Sequence, residues 1–229
     1  MSYNQFAWYY DSLMEPGFYE DYFHYILEHV DFTSVLELGC GTGTLAGMFS
    51  RVGKHVTGID LSAEMIDIAK ENHPQIAACF QLGDMTKFET DKRFDLVLCL
   101  CDSLNYVLGF DNQVKVLKKA YSFLKEEGTF IFDIHSPYKM NKIFADYHEE
   151  QEDEDFYFYW SVKKTGEYEI THYVVIEDLE EDVRTEEKHI QQSFPPKWYI
   201  KALSEAGFKE IKMDEQFQPQ QRIVFEARK

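Results

Sequence analysis

Three glycines and one acidic residue carry the first chemical signal in this 229-residue chain. Gly39, Gly41 and Gly43 lie between the apolar run 35–38 and a helical pattern, and Asp60 closes a second apolar run. Glycines let a ligand approach the backbone where a side chain would collide with it. A carboxylate about 20 residues further on can accept hydrogen bonds from ribose hydroxyls. The arrangement predicts a nucleoside-binding site.

The spacing of the loop distinguishes between nucleotides. A dinucleotide fingerprint needs a third glycine at the sixth position, but that position, counted from Gly39, is Thr44. An ATP phosphate loop closes with Gly-Lys-Ser/Thr, and no lysine lies near this loop. Both of these interpretations are therefore disfavoured.

Alternating strand and helix patterns must position the loop. After a helical segment from Phe18 to His29, we predict strands at 34–38, 55–59, 76–81, 94–100 and 129–134. Between them we predict helices at 44–51, from a Ser62 cap to about 72, and from an Asp111 cap to about 125. This alternation indicates a parallel sheet whose ligands bind beyond the carboxyl ends of the strands.

The periodicity changes to two between residues 139 and 195, which predicts an inserted antiparallel sheet of two or three strands. We expect the acidic stretches 149–155 and 180–182 to be solvated loops. The aromatic face of Phe156, Phe158 and Trp160 has to be buried, either over the active site or in a homodimer. A helix from about 197 to 206 and strands at 208–213 and 223–227 complete the pattern.

Three domain segments follow from these patterns. Residues 1–30 form an aromatic N-terminal helical lid, residues 31–138 and 196–229 form the core, and residues 139–195 form an antiparallel substrate cover.

Composition narrows the possible partners. The formal net charge of −18 disfavours nucleic acid, whose non-specific affinity comes mostly from Lys and Arg. No apolar run is long enough for a membrane span, and the N-terminus lacks the form of a signal peptide, so a cytoplasmic protein is expected. The four cysteines form no Cys-x-x-Cys pair, so neither disulfides nor a metal site are expected.

Four ordered motifs together resemble the class I S-adenosylmethionine-dependent methyltransferases. They are Glu-Leu-Gly-Cys-Gly-Thr-Gly at 37–43, Asp60, Gly-Asp-Met at 83–85, and Leu-Cys-Asp at 100–102. The resemblance implies an α/β fold, with a Rossmann-like, doubly wound, mostly parallel seven-stranded sheet whose last strand is antiparallel. It also implies S-adenosylmethionine as cofactor and S-adenosylhomocysteine as product.

The same resemblance proposes which residues bind the cofactor. The glycine loop would face the methionine part, Asp60 the ribose, and Asp84 the adenine amino group, with Leu61, Met65 and Met85 against the ring. Tyr3 and Tyr10 could approach the sulfonium as part of a closing lid. The complete set of candidates is Tyr3, Tyr10, Glu37, Gly39, Cys40, Gly41, Asp60, Leu61, Met65, Asp84, Met85, Leu100 and Asp102.

Other segments look like those of small-molecule methyltransferases related to the sugar N,N-dimethyltransferases and glycine N-methyltransferase. These segments are the N-terminal tyrosines, residues 101–106 and the insertion, while 132–139 and 222–227 look like a group of uncharacterised bacterial methyltransferases. The implied reaction moves a methyl group to an amine or hydroxyl of a small polar metabolite. Tyr106 and His135 are the catalytic candidates, although the sugar enzymes carry a histidine at the position aligned with Tyr106.

Two alternatives remain open at this stage. The acceptor could be a protein or an RNA, or the chain could bind the cofactor without catalysis. Acidity argues against RNA, whereas an antiparallel insertion could dock a protein.

Overall fold

A computed structural model describes residues 17–152, 156–179, 183–217 and 221–229. Tyr3 and Tyr10 therefore lie outside the described residues, as does the acidic stretch 180–182.

Two sheets and five α-helices make up the described chain. The helices are α1 Phe18–His29, α2 Thr44–Arg51, α3 Ala63–Asn72, α4 Phe110–Phe123 and α5 Pro196–Ala206. The strands are β1 Ser34–Leu38, β2 His55–Asp60, β3 Phe80–Leu82, β4 Phe94–Cys99, β5 Leu124–His135, β6 Asp146–Glu152, β7 Phe156–Lys164, β8 Glu169–Asp178, β9 Val183–Gln192, β10 Glu210–Asp214 and β11 Arg222–Arg228.

The larger sheet has seven strands in the order β10-β11-β5-β4-β1-β2-β3. Only β11 runs antiparallel to its neighbours, which confirms the predicted Rossmann-like sheet with an antiparallel last strand. The strand order reverses between β1 and β4, and crevices at such a reversal are where open α/β sheets bind ligands.

The central strand β1 is buried on both faces because a strand alternates its side chains. Leu36 packs with residues of α4 and α5, such as Leu117 and Leu203. Val35 packs on the opposite face against α1 and α2, for example against Ile26 and Phe49. Two apolar layers thus fix the sheet and hold its carboxyl edge in place.

Two local predictions in the core are wrong. The predicted strand 76–81 is mostly a 3₁₀ helix, Pro74–Cys79, followed by the short β3. Pro74 fixes a helical φ, and the Ile76 amide donates to the His73 carbonyl at 3.0 Å, so the turn wins over the apolar pattern. The helix predicted to begin at Asp111 is capped by Gly109, which leaves Asp111 in its first turn.

The inserted sheet has four strands in the order β6-β7-β8-β9, where we predicted two or three. Most of the acidic stretch that was predicted to be a loop belongs to β6, which pairs with β7 from Asp146↔Lys163 to Glu152↔Tyr157. Cross-strand pairing therefore overrides the low strand propensity of glutamate. The Tyr147 hydroxyl also donates to Glu149 at 2.9 Å within this strand.

Part of the aromatic face of this sheet, at Trp160, packs against the segment that joins β5 to β6. Val162 and Ile170 form a cluster with Met140 and Phe144, which come from the segment joining β5 to β6. Trp160 packs against this cluster, with its ring 5.8 Å from that of Phe144. None of the described helices is long and apolar enough to cross a membrane.

Candidate active site

A cavity of about 450 Å³ opens at the carboxyl edge of the larger sheet. The loops after β1, β2, β3 and β4 form most of its wall, and α1 and β9 contribute one residue each. The residues that line the cavity include Tyr19, Glu37, Gly39, Cys40, Gly41, Asp60, Leu61, Glu64, Met65, Leu82, Asp84, Met85, Cys101, Ser103, Tyr106, Val107 and His189.

The glycine loop presents bare backbone to this cavity. Gly39 has φ +77°, and a Cβ there would lie 2.6 Å from the Ser103 Oγ atom, so no larger residue fits without a shift. Gly41 has φ +52°, and a Cβ added there would meet no atom within 4 Å. The backbone of Gly39 and Cys40 is fixed from below, since both amides donate to the Ile59 carbonyl at 2.8 and 2.9 Å.

Asp60 ties the glycine loop to the start of α3. One carboxylate oxygen accepts from the Gly41 amide and the other from the Ser62 amide, both at 2.9 Å. Burial raises the pKa of Asp60, while these backbone hydrogen bonds oppose that shift. Because each carboxylate oxygen can accept more than one hydrogen bond, Asp60 keeps acceptor capacity toward the cavity.

Apolar side chains surround Asp84 at the other end of the cavity. Leu61 is 74% exposed and Leu82 is 62% exposed, although both are large hydrophobic residues. The Asp84 carboxylate accepts from Thr86 and pairs with Lys87 at 2.9 Å. Burial disfavours its charge, but these hydrogen bonds outweigh burial and lower the pKa of Asp84. This end of the cavity combines apolar surface with an ionised acceptor.

The side of the cavity nearest the insertion carries Tyr106 and His189. Tyr106 is 44% exposed and belongs to the 3₁₀ helix Ser103–Tyr106 that follows β4. His189 comes from β9, and the two rings meet edge to face with centroids 6.0 Å apart. His189 is not among the site residues predicted from the sequence. The alternation of Glu187, His189 and Gln191 along β9 places three polar residues on one strand face and could have indicated it.

Behind this wall, buried charges join the core to the insertion. Arg222 of β11 forms ion pairs with Asp102 and Asp133, and the Tyr22 hydroxyl donates to Asp133 at 2.9 Å. Burial opposes the charge of Asp102, but chiefly Arg222 lowers its pKa. Burial raises the pKa of Asp133, which shares the same guanidinium.

Gln191 of β9 connects this charge cluster to two histidines. Its amide nitrogen donates to Asp102 at 2.8 Å, and its amide oxygen lies 2.8 Å from His135 Nε2 and 2.9 Å from His172 Nε2. The Trp160 indole donates to His172 Nδ1, so His172 carries its proton on Nε2 and donates to Gln191. Burial lowers the pKa of His172 to about 4, and that of His135 well below its ordinary value.

The comparison with known proteins agrees with this architecture. A family model described as a methyltransferase domain matches residues 35–128. A protein of Geobacillus sp. (strain WCH70) that is named as a methyltransferase is 33% identical over 248 residues that cover 100% of both chains. A solved S-adenosylmethionine-dependent methyltransferase from Clostridium acetobutylicum ATCC 824 has a TM-score of 0.86 and 25% identity, covering 99% of this chain and 98% of that one. The chain belongs to the S-adenosylmethionine-dependent methyltransferases.

A more distant relative of this methyltransferase is the dTDP-4-amino-2,3,4,6-tetradeoxy-D-glucose N,N-dimethyltransferase of Saccharopolyspora spinosa. It is 28% identical over 100 residues, which are 44% of this chain and 39% of that protein. The resemblance to sugar N,N-dimethyltransferases is thereby confirmed, and the cofactor is S-adenosylmethionine.

Glu37 shows that the cavity of the methyltransferase fits this cationic cofactor. The residue is only 7% exposed, and its Oε2 atom has no hydrogen-bond partner among the described residues. Burial, and then repulsion from Asp60, raises the pKa of Glu37 to about 8. A buried carboxyl with an orphan oxygen is costly unless a donor or a cation reaches it. An ammonium group in the cavity would supply both.

The predicted site residues divide into three groups in the methyltransferase. Those that line the cavity are Glu37, Gly39, Cys40, Gly41, Asp60, Leu61, Met65, Asp84, Met85 and Tyr106. Leu100, Asp102 and His135 lie behind the wall: Leu100 is buried in the core, and the other two belong to the Gln191 network. Tyr3 and Tyr10 lie outside the described residues.

The backbone is strained at the turn between the residues that line the cavity and those that lie behind its wall. Cys101 and Asp102 have φ values of 55° and 53°, a conformation that residues other than glycine rarely adopt. The Asp102 amide donates to Asp133 at 3.1 Å, which holds the strained turn in place. This turn directs Cys101 and Ser103 into the cavity while Asp102 points to Arg222.

Proposed function

We propose that this methyltransferase moves the methyl group of S-adenosylmethionine to an amine or hydroxyl of a small polar metabolite. The observation that carries the proposal is the division of one cavity into two walls. The glycine loop, Asp60 and Asp84 suit the cofactor, and Tyr106, Val107 and His189 form a separate wall beside it. This wall holds no Lys or Arg among the described residues, whereas a nucleic-acid acceptor is bound mostly through such cations.

Specific residues would hold the cofactor. Glu37 would accept from its ammonium group, Asp60 from its ribose hydroxyls, and Asp84 from its adenine amino group. Leu61, with Met65 and Met85, would flank the adenine ring. Tyr3 and Tyr10 would close over the site from the N-terminal segment, and residues 139–195 would cover the acceptor.

When bound, the cofactor supplies an activated methyl group together with its leaving group. The chain's own task is to align the nucleophile with that methyl group and to exclude water. Tyr106 lines the cavity and is therefore suited to contact the acceptor. His135 is buried on Gln191, so we propose that it supports the strained turn at Asp102 rather than touching the acceptor.

Label transfer tests this function. The protein is incubated with S-adenosylmethionine labelled in its methyl group and with cell extract separated into small-molecule, protein and RNA fractions. We expect label in the small-molecule fraction. Label in protein or RNA would favour a macromolecular acceptor, and bound cofactor without transfer would favour a non-catalytic binder.

Two variants separate the proposed residue roles. Tyr106→Phe should lower turnover by about fivefold with an unchanged affinity for S-adenosylhomocysteine, since one hydroxyl contact is worth about 1 kcal/mol. His135→Ala should instead lower thermal stability. If both variants keep full turnover with the true substrate, positioning by the remaining residues carries the reaction.

A further inference from the structure

We propose that His189 accepts a proton from the substrate that receives the methyl group, and that Glu187 supports this histidine. The substrate is an amine that enters the cavity as an ammonium ion. This proposal rests on the methyl transfer proposed above and specifies its substrate class. His189 is 8% exposed and lines the cavity beside Tyr106. Its Nε2 atom lies 2.8 Å from a carboxylate oxygen of Glu187, whose side chain is only 9% exposed.

Glu187 is a buried carboxylate beside His189. Both of its carboxylate oxygens are buried, and apart from the 2.8 Å contact with His189 Nε2 neither has a polar partner among the described residues. Among the described residues, His189 is the ion-pair partner of Glu187. A buried carboxylate in this position favours a cationic ligand beside it.

The strand that carries the pair is fixed to the core. Two residues beyond His189, Gln191 donates to Asp102 at 2.8 Å. The Asn105 side chain donates to the Gln192 carbonyl, also at 2.8 Å. Because Asn105 and Tyr106 belong to the same 3₁₀ helix, these bonds set the position of His189 relative to Tyr106. The geometry is therefore preorganised, as a proton acceptor requires.

The charge of the cavity selects for a cation. Its acidic lining residues, within the described chain, are Glu37, Asp60, Glu64 and Asp84; the lining also includes His189 and contains no Lys or Arg. The whole chain carries a formal net charge of −18. A phosphorylated or carboxylated acceptor would meet repulsion here without a basic group to bind it, whereas an ammonium group would be attracted.

The proposed transfer involves the substrate ammonium, the cofactor, His189, Glu187 and water. An N–H proton of the ammonium passes to the His189 imidazole, and Glu187 stabilises the imidazolium. The nitrogen lone pair then forms a bond to the methyl carbon, and the carbon–sulfur electron pair goes to sulfur, which leaves as a neutral thioether. The product is the methylated ammonium, and the imidazolium returns its proton to water.

A binding experiment tests the pair without relying on turnover. Protein saturated with S-adenosylhomocysteine is titrated with ethanolamine, and the ring resonance of His189 is followed by NMR and assigned by its loss in His189→Asn. Ethylene glycol is the matched neutral probe. We expect a saturable shift with ethanolamine only, and about tenfold weaker binding in Glu187→Gln. Equal responses to the two probes, or no saturable response, would overturn the proposal.

A transfer experiment tests the acceptor class. A small-molecule extract is separated into cationic, neutral and anionic fractions and incubated with methyl-labelled cofactor. Label should enter the cationic fraction, and prior acetylation of its amines should abolish the transfer. Label in the neutral or anionic fraction would overturn the amine assignment while leaving methyl transfer intact. No label in any fraction would overturn the proposed function as well.

Variants complete the test of His189. His189→Asn should bind S-adenosylhomocysteine normally by calorimetry yet transfer methyl at least 100-fold more slowly, and added imidazole should restore part of the rate. His148→Asn is the matched control, because His148 is exposed on β6 of the same sheet. Wild-type turnover in His189→Asn, or a loss that imidazole does not restore, would contradict a proton-accepting role.

Discussion

The two walls of the cavity are assembled from residues at very different separations along the chain. On the cofactor side, Asp60 binds the amide of Gly41, only 19 positions away. On the acceptor side, Asp102 binds Gln191 at a separation of 89, and Asp133 pairs with Arg222 at the same separation. The first wall is made by neighbouring strand–loop–helix units, and the second by contacts between segments that are distant in the chain, both within the core and between the core and the insertion.

This difference also separates backbone chemistry from side-chain chemistry. The cofactor wall is the side of the cavity formed by the glycine loop, Asp60 and Asp84. It depends on glycine conformations and on amides that Asp60 holds in place. The acceptor wall is the side formed by Tyr106, Val107 and His189. Behind it, polar side chains are linked in the order Trp160, His172, Gln191, Asp102 and Arg222. We therefore expect the two walls to respond to substitution independently, apart from the residues that link them.

Arg222→Leu should produce the largest effect on stability. It would leave Asp102 and Asp133 buried without their guanidinium, which costs about 3–5 kcal/mol in the free energy of unfolding. Urea denaturation followed by tryptophan fluorescence measures the change. Arg228→Leu is the control, because Arg228 lies on the same strand with a 45% exposed side chain and should change stability by less than about 1 kcal/mol. A loss as small as the control's would show that the cluster does not hold the acceptor wall.

Asp60→Ala should affect the cofactor wall alone. It removes the proposed acceptor for the ribose hydroxyls and two hydrogen bonds that hold the loop. We expect about a 100-fold weaker affinity for S-adenosylhomocysteine by calorimetry, because charge-assisted hydrogen bonds are worth about 1.5–3 kcal/mol each. Asp67→Ala on the exposed face of α3 should bind normally. Unchanged binding in Asp60→Ala would refute the cofactor assignment.

The cofactor wall could be predicted from the sequence because its determinants are local. Ser34–Leu38, Thr44–Arg51 and the Ser62 cap were predicted with the bounds that the structure shows, apart from small differences at helix ends. Strand periodicity, glycine spacing and helix caps act over a few residues, so a single sequence displays them. The error at 76–81 arose where Pro74 supported a tight turn that the apolar pattern does not reveal.

The acceptor wall could not be predicted in the same way. Period two identified the insertion, but nothing local shows that Gln191 meets Asp102 or that His189 reaches the cavity. His135 was placed correctly at the end of β5, yet its side chain turns to Gln191 instead of the cavity. Such pairings depend on how the inserted sheet packs on the core, which is a tertiary property.

Gln191→Leu should weaken the acceptor wall with little change in the cofactor wall. The substitution removes the amide that donates to Asp102 and the buried acceptor of the Nε2 protons of His135 and His172, while Asp102 keeps its ion pair with Arg222. We expect about 2 kcal/mol lower stability in urea denaturation and an affinity for S-adenosylhomocysteine within about twofold of wild type. Gln151→Leu on the exposed strand β6 serves as the control. A large loss of cofactor affinity would mean that the walls are coupled.

Glu37→Gln should have the smallest effect, which appears as a change in pH dependence. Burial raises the pKa of Glu37 from 4.5 to about 8, so the cofactor-free protein holds a neutral carboxyl at pH 7. The protonated Glu37 carboxyl makes its full contribution to stability below pH 4.5. This contribution is lost as the pH rises from 4.5 through about 8.

A cationic cofactor reverses this preference, because an ammonium group favours the carboxylate form of Glu37. Affinity for S-adenosylhomocysteine should therefore rise about tenfold from pH 6.5 to pH 8.5, with uptake of a proton by buffer at neutral pH. Calorimetry in buffers of different ionisation enthalpy measures both quantities. Glu71→Gln, exposed on α3, should retain the dependence, whereas Glu37→Gln should lose it. If Glu37→Gln keeps the wild-type slope, another group receives the ammonium of the cofactor, and the cofactor wall extends beyond the glycine loop.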